Sequence, residues 1–124
     1  MTPSQFRRIA LGMNGAIEGS HMDHPDFRAN GRIFATIYPD NTRGMVKLTP
    51  EQQQEFIDHD PAVFEPASGA WGRQGCTTVR LAAADEATVG DAMTLAWQAT
   101  ARQPAPRKKP TARAAAPARK RKKA

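Results

Sequence analysis

The segment from Trp71 to Gly75 (WGRQG) combines an aromatic ring, a guanidinium group and two glycines. Glycine lets a backbone approach a ligand closely, arginine offers a bidentate fork to phosphate, and tryptophan offers a stacking face. The alternative is a loop whose tryptophan folds back onto the core, since a small domain needs large side chains inside. We expect Trp71 to lie in the core and Arg73 to be available for binding.

The other reactive side chains give weak signals for metal binding or catalysis. His21 and His24 have H-x-x-H spacing, but no helical pattern places both imidazoles on one face, and a His24-Pro25 turn is the simpler interpretation. Cys76 has Arg73 nearby but no partner cysteine or clear base, so we expect a packing role. No Ser-His-Asp order, phosphate loop or paired-acid motif is present. We therefore predict a protein that is not an enzyme and has no metal or cofactor.

Basic residues concentrate at the carboxyl-terminal end of the chain. Residues 102–124 contain ten Lys or Arg and no Asp or Glu, whereas residues 1–101 contain eight basic and twelve acidic residues, a sum of −4. A polycation that the chain does not neutralise binds polyanions, most commonly nucleic acid. In this tail we expect phosphate contacts from Arg107, Lys108, Lys109, Arg113, Arg119, Lys120, Arg121, Lys122 and Lys123.

Three basic residues of the body, Arg32, Lys47 and Arg80, lie on predicted strands, where each faces away from the main apolar residues of its own strand. If these strands are neighbours, the three residues form a basic stripe on an open sheet face. Ordinary solvated strand positions explain them equally well. Together with Arg28 and Arg73, they are the expected contacts of the body with nucleic acid.

Caps and periodicity indicate the elements that hold these residues. Thr2-Pro3 and Thr49-Pro50 are typical of helix starts, and Asp85 caps a last helix. Asn30-Gly31 predicts a hairpin turn. In the strand that follows, alternation predicts that Ile33, Ala35 and Ile37 share one face, while Phe34, Thr36 and Tyr38 share the other.

The predicted order is helix, three strands, helix, one or two strands, helix. Residues 18–29 are expected to form an edge strand with a turn, and residues 66–75 a glycine-rich loop. Sequential hairpins with helices packed on one sheet face give an α+β fold. We predict one domain over residues 1–101 and a disordered basic tail over 102–124, whose Pro, Ala, Lys and Arg cannot form a core. The average reach of such a tail is about 25 Å.

Localisation follows from what the sequence lacks. The apolar runs are too short to span a bilayer, the first residues (MTPSQFRRIALGM) do not resemble a secretory signal, and one cysteine cannot form an internal disulfide. We expect a soluble cytoplasmic protein without a membrane partner, associated with the nucleoid if its partner is DNA.

Several stretches resemble the MmcQ/YjbR-like family of small bacterial proteins. They are GSHMDHPDFR at 19–28, GRIFAT at 31–36, VKL at 46–48, DPAVFEPA at 60–67 and WGRQG at 71–75. The resemblance covers residues 3–100 in consistent order. Cys76 departs from it, since this position often holds tryptophan in the family, and the basic tail lies outside the shared domain.

The resemblance implies an α-β(3)-α-β(2)-α arrangement, similar to secretion chaperones, and DNA binding by a "double wing" of two β-hairpin elements. Since fold alone does not fix function, the tail is separate support for this partner. We predict largely sequence-nonspecific DNA binding, with the tail supplying most of the affinity and RNA as the other candidate polyanion. The alternative is a protein-binding adaptor that its tail tethers to nucleic acid or ribosomes. Monomer and homodimer both remain open.

Overall fold

The computed structural model describes residues 1–21 and 23–102, so the predicted tail beyond Arg102 lies outside the described residues. The strands are β1 (Ile17–His21), β2 (His24–Ala29), β3 (Arg32–Ile37), β4 (Arg43–Lys47), β5 (Phe64–Pro66) and β6 (Cys76–Arg80). The helices are α1 (Pro3–Leu11), α2 (Pro50–His59), α3 (Gly69–Arg73) and α4 (Glu86–Arg102), with a 3-10 turn at Leu81–Ala83. The strands form one antiparallel sheet in the order β1-β2-β3-β4-β6-β5, so the predicted α+β class is confirmed.

The predicted α-β(3)-α-β(2)-α order is wrong in two places. Residues 17–29 form two paired strands, β1 and β2, because a tight turn with Asp23 at a φ of 67° returns the chain directly. Aspartate tolerates this left-handed conformation better than most residues. Four strands therefore precede α2. The expected loop at 66–75 contains the short helix α3, which separates β5 from β6.

The predicted local signals for helix starts and for the hairpin turn are confirmed. Thr2 and Thr49 each form a capping box, with Gln5 and Gln52 respectively. The Asp85 carboxylate accepts a hydrogen bond from the Thr88 amide at 2.7 Å, one residue before α4 begins. Asn30 and Gly31 join β2 to β3 with φ angles of 56° and 75°, the positive pair that a type I′ turn requires.

A β-bulge changes the predicted faces of β3. Phe27 pairs with Ala35 and the next residue, Arg28, pairs with Ile33, so Phe34 is the extra residue of β3. Phe34 is fully buried in the core together with Ala35 and Ile37, while Ile33 shares the opposite face with Thr36 and Tyr38. Simple alternation therefore assigned Ile33 and Phe34 to the wrong faces.

The core lies on one side of the sheet. Helices α1 and α4 cover the central strands there, and α2 packs at the β5 end, where the Phe56 and Phe64 rings are 5.1 Å apart between centroids. The largest buried side chains are those of Phe6, Phe27, Phe34, Phe64, Ile37, Leu81 and Met93. Over the described ranges, no helix combines the length and apolar character that crossing a membrane requires.

Because the bulge places Phe34 in the core and Ile33 on the open face, truncating these two side chains should lower the free energy of unfolding by different amounts. Phe34→Ala should lower the free energy of unfolding by about 3–5 kcal/mol, because it leaves a cavity in the core. Ile33→Ala, on the open face, should cost about 1 kcal/mol. Urea unfolding of both variants measures the difference, and a larger loss for Ile33→Ala would contradict the assigned register.

Candidate functional site

The sheet face opposite the core lines a cleft of about 770 Å³. Side chains of three adjacent strands form its floor, because alternate residues of a strand point to the same face. The floor consists of Ile33 and Thr36 from β3, Tyr38 directly after β3, Met45 from β4, and Cys76 and Thr78 from β6. Trp71 of α3 and the preceding segment 66–68 form one wall.

The cleft is positively charged. Within the described part of the chain, its cationic lining residues are Arg28, Arg32, Arg43 and Lys47. Glu65 also lines the cleft, but its carboxylate forms an ion pair with Arg80. Basic residues thus outnumber acidic ones in the lining of the cleft, although residues 1–101 sum to −4.

The four cations differ in the hydrogen bonds and ion pairs that they form within the protein. Arg28 forms two hydrogen bonds with Asp26, Nε to Oδ1 at 2.7 Å and Nη2 to Oδ2 at 3.0 Å. The Asp26 side chain is completely buried, and this hydrogen bond and charge raise the pKa of the Arg28 guanidinium. Gly19, opposite Asp26 in β1, leaves room for the pair, since a Cβ there would lie 3.0 Å from Asp26 Oδ1. Arg28 therefore has a structural role in addition to any contact with a ligand.

Arg43 is a cleft residue that the sequence analysis missed. Its guanidinium carbon lies 4.8 Å from the centroid of the Tyr38 ring, and its Nη2 is 3.1 Å from Asp40 Oδ2. A hydrogen bond from the Thr42 amide lowers the pKa of Asp40 and keeps this partner ionised. β4 starts at Arg43, and alternation along it places Arg43 on the same face as Lys47.

Lys47 has an exposed ammonium group at the other end of β4. Among residues 1–21 and 23–102 it forms no ion pair. Its neighbour across the sheet is Cys76, which is buried, and burial raises the pKa of that thiol against the opposing effect of the Lys47 charge. Cys76 is thus a protonated packing residue, and Lys47 is the cation best placed to bind an external anion.

The expectation that Trp71 lies in the core is wrong. Its side chain is 64% exposed and lines the cleft, because four phenylalanines already fill the core beneath the sheet. Helix α3, which carries Trp71, packs closely against the segment before it. A Cβ on Gly72 would lie 1.9 Å from the Ala67 carbonyl oxygen. The buried Gln53 side chain donates to the carbonyl oxygens of Gly72 and Cys76, both at 2.9 Å.

The two other predicted body contacts, Arg73 and Arg80, do not line the cleft. Arg73 is exposed at the end of α3. Strands β3, β4 and β6 are neighbours, as the predicted basic stripe requires, but Arg80 turns towards β5. There it donates to the carbonyl oxygens of Pro61 and Ala62 and pairs with Glu65.

Of the two histidines with H-x-x-H spacing, only His24 has a described side chain. His24 lines the cleft, whereas the side chain of His21 lies outside what the structure describes. Across the described residues, no three His, Cys, Asp or Glu side chains come together in a group suited to a metal ion.

The end of α4 contacts the β2–β3 turn. The Asn30 side-chain amide donates to the Thr100 carbonyl at 3.4 Å, which joins the last turns of α4 to the β2–β3 turn. That turn brings Gly31 and Arg32 into the cleft lining. Residues 103–124 follow Arg102 in sequence and lie outside the described part. The tail contacts predicted from Arg107 to Lys123 remain predictions.

Comparisons with known proteins agree with this architecture. A family model described as YjbR matches residues 11–99. The structure is similar to the crystal structure of the Deinococcus radiodurans protein DR2400, with domain DUF419, at a TM-score of 0.67 and 18% sequence identity. That match covers 82% of this chain and 80% of the other and shows a shared fold. No curated protein matches the chain.

The different roles of Arg28 and Lys47 give a stability prediction. Arg28→Gln should lower the free energy of unfolding by about 1–3 kcal/mol, because it removes a partner of a buried carboxylate. Lys47→Gln should change it by less than about 0.5 kcal/mol. Urea unfolding at neutral pH checks both values, and equal stability of the two variants would show that the Asp26–Arg28 pair is dispensable.

Proposed function

The chain belongs to the YjbR family, and we propose that it is a non-enzymatic DNA-binding protein with two cationic contact surfaces. The basic tail holds the phosphate backbone and supplies most of the affinity. The cleft on the open sheet face is the second surface. The observation that carries this proposal is that the Asn30–Thr100 contact brings the end of α4 to the Arg32 end of the cationic cleft, while residues 103–124, which follow α4 in sequence, contain nine further Lys or Arg.

Charge explains why such binding is largely independent of sequence. Contacts to phosphate oxygens position a protein on nucleic acid but carry no information about the bases. Both Lys47 in the cleft and the lysines and arginines of the tail are suited to such contacts. RNA offers the same phosphates and is the other candidate ligand.

The chemistry of the cleft supports a binding role without catalysis. Cys76, its potential nucleophile, is buried and its pKa is raised, so the reactive thiolate is disfavoured. Glu65, its lining carboxylate, forms an ion pair with Arg80. Neither group is placed as an activated nucleophile or a free general base.

A protein-binding adaptor is the alternative, and the edge strand β1 favours it. β1 ends the sheet, and Ile17 at its start is 63% exposed. An edge strand presents backbone groups to which a partner strand can be added. In this alternative, the tail would tether the adaptor to nucleic acid or ribosomes.

Removal of the tail tests the main proposal. The full chain should bind duplex DNA of any sequence, and a chain that ends at Arg102 should lose most of this affinity. If about five tail charges contact phosphates, the slope of log K against log salt concentration should be about −4.5 for the full chain. Fluorescence anisotropy at several salt concentrations measures both.

Two outcomes would contradict the proposal. A shortened chain that binds as tightly as the full chain would show that the tail does not supply the affinity. If the full chain binds neither DNA nor RNA at low salt, the adaptor function is the better explanation.

A matched pair of neutral substitutions tests the cleft. Lys47→Gln in the full chain should weaken DNA binding uniformly across sequences and reduce the magnitude of the salt slope by about 1, because one phosphate contact is lost. Arg73→Gln removes the same charge from an exposed site that does not line the cleft and should have a smaller effect. Equal effects would indicate that net charge alone, and not the cleft, governs binding.

A further inference from the structure

We propose that the cleft binds unpaired nucleobases, with Trp71 as the stacking surface, so that the protein selects single-stranded over duplex nucleic acid. This inference rests on the proposed binding of nucleic acid and adds that the preferred ligand is single-stranded. It is carried by the juxtaposition of an exposed tryptophan, an apolar floor and the exposed ammonium group of Lys47 in one cleft.

Trp71 is the first element of the argument. The backbone of α3, which carries Trp71, is held by the close approach of Gly72 to Ala67 and by the Gln53 hydrogen bond to Gly72, so little backbone freedom is lost when a base stacks on the exposed ring. A tryptophan face is sequence-tolerant, because every base has a flat aromatic surface. In a duplex these surfaces are covered by neighbouring bases, so only an unpaired base can stack on Trp71.

The floor and size of the cleft suit a base. Ile33, Met45 and Cys76 give it an apolar floor, and Thr36 and Thr78 add hydroxyl groups. Its volume of about 770 Å³ lies in the range of small-ligand sites, about 300–1,000 Å³. A site of this size admits a nucleotide segment but encloses no double helix.

The cations are placed for the phosphates on either side of such a base. Lys47 and Arg43 lie four residues apart on the same face of β4, roughly 13 Å along the strand. Trp71 lies at the Lys47 end, because α3 leads to Cys76, which pairs with Lys47. Arg32 is also at this end, beside the start of the tail. A strand bound here can run from Arg43 past Lys47 and Trp71 towards the tail.

The test compares three ligands with the full chain: oligo-dT, an abasic strand of the same length, and a duplex of that length. Trp71→Ala should weaken binding of oligo-dT by about 5- to 150-fold, the effect of losing one stacked base. It should leave binding of the abasic strand and the duplex unchanged. Trp71→Phe should retain most of the affinity. Ile17→Ala, which truncates an equally exposed side chain outside the cleft, is the matched control and should bind all three ligands like the wild type.

Fluorescence gives a second readout. The chain has two tryptophans, so in the Trp97→Phe protein Trp71 is the remaining one. Oligo-dT should quench its emission, while the abasic strand should not. Oligo-U in place of oligo-dT shows whether RNA is bound in the same way.

The outcomes separate this inference from the proposed function. If the full chain binds oligo-dT and duplex equally and Trp71→Ala changes neither, the stacking proposal fails while nucleic-acid binding stands. Quenching by the abasic strand equal to that by oligo-dT would also overturn it. If none of the ligands binds at low salt, the proposed function itself fails.

Discussion

The shortage of large apolar side chains is the constraint on which the rest of the structure depends. Phe6, Phe27, Phe34 and Phe64, with the aliphatic residues around them, fill one side of a six-stranded sheet. A domain of about 100 residues has one core of limited size. Helices α1, α2 and α4 therefore pack on a single face, and the other face holds α3 and a mixture of small, polar and cationic side chains. The cleft exists because the core lies on one side.

Much of the acidic charge of the body lies on helices away from the cleft. Glu51, Glu55 and Asp58 lie on α2, and Glu86 and Asp91 lie on α4. These helices belong to the elements packed about the core, whereas the cationic residues of the cleft lie on the open face. At physiological ionic strength, exposed charges more than about 8 Å apart are largely screened from one another. The local charge of the cleft is thus more informative than the sum over residues 1–101.

Features set by local chemistry could be predicted from the sequence. The capping boxes at Thr2 and Thr49 and the Asn30-Gly31 turn involve residues within a few positions of each other. Alternation along β4 also predicted correctly that Lys47 faces away from Val46 and Leu48. The features that were missed depend on distant partners. The bulge at Phe34 is set by pairing with β2, and α3 is set by the close approach of Gly72 to Ala67. The exposure of Trp71 depends on how completely other residues fill the core, which no single segment reveals.

The contact between Asn30 and Thr100 determines where the tail joins the domain. A polyanion bound to residues after Arg102 is tethered beside the cleft rather than free in solution. For short linkers of flexible composition, such tethering gives effective concentrations in the millimolar range. A cleft that binds its ligand only weakly would then still be occupied for much of the time. It would also release and recapture neighbouring segments of the same polymer without the complex dissociating. Under the proposed function, affinity and local sampling would thereby be divided between two parts of one short chain.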